Sequence, residues 1–258
     1  MNLTQIRNAT QLIAYGGKRF LIDPMLAEKE AYPGFAGSAR AELRNPRTAL
    51  PVPLATLLDV NAIIVTHTHL DHWDDAAAAL IPKSMLIFVQ NESDRDLLRE
   101  QGFSQLKVLG ETTRVGDITL IKTDGQHGPD EAYANAELAA RLGDACGLVF
   151  MHPQEKTLYL AGDTIWVPPV EAALRQYQPD VVVLNAGWAH IIGVGAIIMG
   201  SEDLLRTHRI VPQARIIASH MEAVNHCLLT RAQLREYVDA NQFGDRVSIP
   251  QDGETVTC

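Results

Sequence analysis

Several features that would place a chain in a narrow class are scarce here. Cysteine is nearly absent: Cys146, Cys227 and Cys258 are the only three in 258 residues, and no two of them form a C-x-x-C pair. A disulfide framework needs an even, closely spaced set, so the chain is expected to fold without one, in a reducing cytoplasm. There is no excess of positive charge. Lys and Arg number 22 against 31 Asp and Glu, a net charge of −9. That balance argues against DNA or RNA as a partner, because such binding relies on clustered cations. No apolar run approaches the ~20 residues of a membrane span, and the run around Ile191–Met199 is short and broken by glycine. Met1–Arg7 lacks the basic-then-apolar layout of a signal peptide. There is no linker, low-complexity segment or repeat. What remains is an ordinary soluble composition, 47% hydrophobic and 21% charged. It is long enough for a sizeable core and reads as one domain over residues 1–258. The expected partner is a small-molecule substrate, with no membrane involved. The sequence carries no signal for an oligomeric state.

Turn signals and apolar runs divide the chain into short elements. Gln11–Tyr15 and Arg19–Ile22 flank Gly16-Gly17 and read as a hairpin. Residues 32–53, rich in Gly, Pro and aromatics, read as a long loop, either a lid or binding loop or a plain surface excursion. Strands are expected at Ala62–Thr66, Met85–Val89, Ile118–Thr123, Leu148–His152, Thr157–Ala161, Val181–Leu184 and Arg215–Ala218. Arg246–Ile249 reads as an edge strand. Helices are expected at Asp75–Leu80, Ser93–Gln101 with Ser93 as N-cap, Val170–Tyr177, Ser201–His208, and Thr230–Ala240 with Thr230 as cap. Hairpins and strand–helix alternation are mixed in both halves. That mixture suits an α/β architecture of two mixed sheets between helices.

The chemistry lies where these strands end. The strand at Ala62–Val65 runs into His67-Thr68-His69-Leu70-Asp71-His72, in which four of six residues are metal-ligand types. Other strand-like runs lead to Asp23, to His127, to Asp163 and to His220. Loops at one sheet edge are where sites assemble on α/β frames. His67, His69, Asp71, His72, His127, Asp163 and His220 make seven candidate donors, more than the four of a structural zinc site. Seven suit two divalent ions sharing a carboxylate, roughly 3.5–4 Å apart and activating a bridging water. Zinc is the first candidate, with manganese or iron also compatible. Asp23 has no donor beside it and is expected to orient a ligand histidine.

His67-x-His69-x-Asp71-His72, His127, Gly162-Asp163-Thr164 and His220, in that order and after Asp23, resemble the metallo-β-lactamase superfamily over about Leu12 to Arg235. The resemblance implies an αββα four-layer sandwich with a dinuclear site at one edge. It implies that His67, His69 and His127 hold the first ion, that Asp71, His72 and His220 hold the second, and that Asp163 bridges. The segments Leu184–Gly187 and His220–Cys227 resemble small bacterial hydrolases related to ascorbate-phosphate lactonases. The expected activity is hydrolysis of an ester, lactone or phosphoester by a metal-bridging hydroxide, with Asp71 also orienting the nucleophile. The alternative on the same fold is a metal-dependent ligand-binding or sensor protein without turnover.

Four histidines fall outside the donor set. His226, six residues past His220, is a candidate substrate contact or proton donor, to be weighed against a buried, hydrogen-bonded role. His190 is a weaker pocket candidate. His208 reads as a helix C-terminal residue and His152 as structural. Trp73, Trp166 and Trp188 each follow a motif-bearing strand end and suit either a cleft wall or core packing. Cys227 reads as a buried thiol.

Overall fold

The apolar strand residues divide by parity, and the division builds the layers. In the computed structural model, which describes residues 1–258, Ala62 and Ile64 face one hydrophobic cluster while Ile63 and Val65 face another. Val181 and Val183 join the first of these, and Val182 and Leu184 join a third. Successive side chains on a strand point to opposite faces, so a run that is apolar throughout must be covered on both sides.

The first sheet contains β1 (Asn2–Arg7), β2 (Thr10–Tyr15), β3 (Lys18–Ile22), β4 (Ala62–Val65), β5 (Leu86–Val89) and β6 (Gln105–Val108). The second contains β7 (Thr112–Val115), β8 (Ile118–Asp124), β9 (Cys146–Met151), β10 (Leu158–Leu160) and β11 (Val181–Asn185). A two-stranded ribbon, β12 (His190–Ile191) and β13 (Gly195–Ala196), stands apart. β14 (Arg215–Ser219) and β15 (Val247–Ser248) complete the second sheet, and β16 (Thr255–Thr257) returns to the first. The orders are β16-β1-β2-β3-β4-β5-β6 and β15-β14-β11-β10-β9-β8-β7. Both sheets are mixed, antiparallel at the hairpins and parallel from β3 to β6 and among β10, β11, β14 and β15.

The cluster between the sheets joins Ile13, Phe20 and Phe88 to Leu120, Phe150 and Leu160. Outside the first sheet pack α1 (Leu54–Leu58), α2 (Asp75–Leu80) and α3 (Glu92–Glu100), through Leu57, Ala77 and Leu98. Two short helices, α4 (Asp130–Tyr133) and α5 (Ala136–Leu142), lie in the long connection from β8 to β9. Outside the second sheet pack α6 (Pro168–Tyr177), α7 (Ser201–Ile210) and α8 (Arg231–Ala240), through Leu174, Leu204 and Leu234. This is the expected αββα sandwich. No helix is long and apolar enough to cross a membrane.

The first hairpin turns as expected, with Gly16 at φ 54° and Gly17 at φ 72°, a pair of positive angles that glycine adopts at least cost. Thr230 caps α8, accepting from the Gln233 amide. The cap of α3 differs from expectation: it is Asn91, whose Oδ1 accepts from Asp94 N at 2.9 Å, and Ser93 lies inside the first turn. Asn91 leaves β5 in an extended conformation that Ser93 cannot share once the helix has begun. β6, β7 and β16 were not expected. Each is four residues or fewer and partly exposed, too short for alternation to register.

The long loop after β3 has no regular element before α1. It is anchored by Arg7, which is fully buried. Its guanidinium donates to the carbonyls of Thr48 (2.8 Å) and Ala27 (2.9 Å). Burial lowers its pKa to about 10, leaving it charged at neutral pH, with its two terminal nitrogens donating to backbone carbonyls and its Nε buried without a partner.

Candidate metal centre

β3, β4, β8, β10 and β14 all end at the same edge of the sandwich, because β8 runs antiparallel to β9 and β9 antiparallel to β10. Their trailing loops bring all seven sequence-predicted donors together. Three overlapping triads have donor atoms within 4.8 Å of one another: His67, His69 and His127; His67, His72 and Asp163; and Asp71, His72 and His220.

Asp163 lies at the centre. Its Oδ2 is 3.1 Å from His72 Nε2, 3.5 Å from His127 Nε2 and from His220 Nε2, and 4.0 Å from His67 Nε2. Gly162 makes this placement possible. It adopts φ 71°, and a Cβ there would lie 2.3 Å from the Cys146 carbonyl oxygen. His67 Nε2 faces His69 Nδ1 at 3.0 Å, and His72 Nε2 faces His220 Nε2 at 3.2 Å. Imidazole nitrogens converging in this way around a carboxylate oxygen are a nitrogen–oxygen donor set that fits zinc or a similar divalent ion.

The donors are held from behind. Asp23 Oδ2 meets His72 Nδ1 at 2.9 Å, as expected of a carboxylate that orients a ligand histidine. It also accepts from Thr66 Oγ1 at 2.7 Å, and that hydroxyl is 3.2 Å from His67 Nδ1. His127 Nδ1 contacts the Ile197 carbonyl at 2.9 Å, and His69 Nε2 contacts the Arg141 carbonyl at 2.9 Å. Cys227 is buried, as expected, with Sγ 3.4 Å from His220 Nδ1. Asp23 and His220 both have positive φ, 44° and 57°. Non-glycine residues rarely adopt such angles, and they gather at functional sites.

Sequence reasoning missed Asn185, whose Nδ2 donates to Asp163 Oδ1 at 2.6 Å and leaves Oδ2 free toward the histidines. Its signal was available: Asn185 is another strand-end residue, after Val181–Leu184, but an amide is not a metal-ligand type. Asn8 was also missed. It reaches the site from the turn between β1 and β2.

Electrostatics divides the histidines into two sets. Burial pushes His67 well below its ordinary value, helped by neighbouring His72 and His69. Burial, with His127 beside it, takes His69 down to about 4, and burial also lowers His127. Burial opposes charge on His72 as well, but Asp163 and Asp23 outweigh it and raise the pKa to about 10. His220 is raised well above its ordinary value for the same reason, with Asp163 the main carboxylate. Burial opposes ionisation of Asp163 and Asp71, yet contact with these imidazoliums holds both carboxyls well below their usual range. His72 and His220 thus carry the positive charge that faces these carboxylates.

A cavity of about 240 Å³ opens at the cluster, lined by His69, Asp71, His127 and His226 with Phe35, Leu142 and Ile197 among its apolar walls. Arg141 is the one cation on its lining, and its guanidinium donates to the Ala36 carbonyl. The long loop forms part of this wall as a fixed element. Asn225 Nδ2 donates to Ser38 Oγ (2.9 Å) and the Ala39 carbonyl (2.7 Å), and its Oδ1 accepts from Phe35 N (3.0 Å). His226 is 7% exposed, Phe35 meets its ring edge-on at 5.0 Å, and its Nδ1 is buried without a hydrogen-bond partner. Burial lowers its pKa to about 4.

The remaining candidates lie elsewhere. Trp73 packs in the core against Phe103 and donates to Gln101 Oε1. Trp166 and Trp188 line a separate groove beside α7. His190 packs edge-on against Trp188 and is not among the residues lining the cavity at the cluster. His208 stacks on Phe243, and His152 packs edge-on against Tyr15.

Residues 18–221 match the model of the β-lactamase superfamily domain. Over its whole length the chain is 46% identical to the UPF0173 protein YddR of Bacillus subtilis, and the match covers 100% of both. Among solved structures it is similar to an isothiocyanate hydrolase from Delia radicum gut bacteria, at 57% identity and a TM-score of 0.99, covering 100% of this chain and 99% of that one. It is also similar to a possible metal-dependent hydrolase from Veillonella parvula, at 45% identity and a TM-score of 0.98 over the same shares.

Proposed function

This chain belongs to the β-lactamase superfamily and, within it, to the metal-dependent hydrolases, and from that premise we propose that it is a dinuclear hydrolase of small, neutral, apolar electrophiles. His67, His69 and His127 would hold one divalent ion, zinc being the first candidate; Asp71, His72 and His220 would hold a second; and Asp163, within reach of both sets, would be shared between them. Ions bound there would supply a hydroxide at neutral pH and stabilise negative charge on the attacked group. Asp71 orients the nucleophile.

Isothiocyanates, R–N=C=S, are the first substrate class. The observation that carries this choice is the cavity, whose walls are largely apolar and whose lining has a single cation. Phosphoesters call for clustered cations or bidentate arginines, and Arg141 is already engaged by the Ala36 carbonyl. The likeness to an isothiocyanate hydrolase over the whole chain supports the same choice. Net hydrolysis adds one water: the central carbon gains oxygen, the C–N bond breaks, and nitrogen takes both protons, so that R–N=C=S and H2O yield R–NH2 and COS. His226, neutral at pH 7 and without a partner in the cavity wall, is placed to hold the substrate nitrogen or pass a proton to it.

The test is purified, zinc-loaded protein against a panel of aryl and alkyl isothiocyanates, lactones, esters and phosphodiesters. Release of amine from isothiocyanates in preference to turnover of the others is expected. Preferred cleavage of a lactone or phosphodiester refutes the substrate class. Tight binding with no product from any member refutes the enzyme and leaves the sensor. H226Q should lower kcat by about 10²–10⁴-fold, with both metals retained. An unchanged kcat removes His226 from the reaction.

A further inference from the structure

Every donor described above follows a strand C-terminus, and one further contact to the centre comes from the turn that follows the first strand at the same edge. Asn8 occupies the tight turn between β1 and β2 at φ 53° and is fully buried. Its Nδ2 lies 3.1 Å from the Asp71 carbonyl oxygen, 3.3 Å from Asp71 Oδ2 and 3.3 Å from His220 Nε2. Its own carbonyl oxygen accepts from His220 N at 2.9 Å and from Ser219 Oγ at 3.1 Å. We propose that Asn8 is the positioning residue for the Asp71–His220 half of the centre and tunes the affinity of that half alone. This inference rests on the two-ion reading above.

The residue type fits the task. The turn needs a left-handed backbone, which asparagine tolerates better than most side chains. The position needs a short group with two N–H donors, one for the Asp71 backbone and one for its carboxylate. A neutral donor on Oδ2 restricts rotation of the carboxylate and leaves a second lone pair toward an ion. Meanwhile the backbone of Asn8 holds His220, which is itself at φ 57°. None of these contacts falls on His67, His69 or His127. Those three are supported by the Thr66 hydroxyl and by the Arg141 and Ile197 carbonyls. Asp23 and Thr66 link the two halves from behind, but the Asn8 contacts fall on one half only, so removing them should loosen one ion. Groups that orient metal ligands typically contribute about 10–100-fold to affinity.

The experiment titrates metal-free wild type, N8G and N8A with zinc against a chromophoric chelator, resolving two binding constants. N8G removes the amide and keeps a backbone angle that glycine adopts readily; N8A removes the amide and adds backbone strain at φ 53°. The expected result is that both variants weaken one constant by about 10–100-fold and leave the other at its wild-type value. The cobalt spectrum of the weakened site should shift. Two wild-type constants in N8G, or an equal fall in both, overturn the role of Asn8 while leaving the two-ion reading intact. A single ion in the wild type overturns both.

Discussion

Asp163→Ala lowers kcat/KM by about a thousandfold or more, equivalent to ~4 kcal/mol of transition-state stabilisation, and leaves the purified protein with at most one metal ion. No other side chain touches as many donors, since Asp163 Oδ2 lies 3.1 to 4.0 Å from four histidine Nε2 atoms. Without it the two triads share no anion, and His72 and His220 lose the first of the carboxylates that raise their pKa values. D163N keeps the shape and the contact region of Asn185 but removes the charge, so it should fall between wild type and D163A. Elemental analysis beside steady-state kinetics checks this. Two tightly bound ions in D163A would mean that Asp163 does not bridge.

Zinc affinity of the Asp71–His72–His220 half rises by about a hundredfold per pH unit between pH 7 and 9, because an ion there must displace the protons of both His72 and His220, while the His67–His69–His127 half, whose imidazoles are already neutral, changes little. His72 keeps its proton up to about pH 10, and His220 is likewise raised. The dependence should flatten as pH nears 10. The same groups set the stability of the metal-free protein. His72 and His220, raised in the fold, stabilise it fully below the unfolded value near 6.5; that contribution is lost as pH climbs toward about 10 for His72. His67, His69 and His127, lowered in the fold, act the other way. The unfolded chain takes up protons there that the folded chain refuses, so stability falls as pH drops below about 6.5, toward about 4 for His69. The melting temperature of chelator-treated protein should therefore peak near pH 6.5 and decline on both sides. A flat profile from pH 5 to 9, or zinc affinity independent of pH, would refute this account.

The four-layer order was legible because parity is local. Ala62–Val65 and Val181–Leu184 are apolar at every position, and only a strand covered on both faces satisfies that pattern. The seven donors were legible for a related reason: each follows an apolar strand, and strand direction alone sends it to one edge. That Asp23 orients a ligand histidine followed from its isolation from other donors, and the packed fold decided that this histidine is His72. By contrast β6, β7 and β16 pair at or near sheet edges with too few residues for alternation to show. Asn91 displaced Ser93 as the α3 cap because the chain's exit from β5 chose the capping residue.

By itself, the sequence determined which donor types the centre offers, since imidazoles and carboxylates are fixed by residue identity and their strand ends by the apolar pattern. Only the tertiary structure decided how those donors are held and what they face. Asn8 meets Asp71 and His220 across 63 and 212 residues, and Asn225 ties Phe35 and Ser38 into the cavity wall across 190 and 187. Such contacts are hydrogen bonds between polar groups with no period and no shared motif. They exist because burial leaves each group one partner within reach, and which partner that is depends on the packed fold.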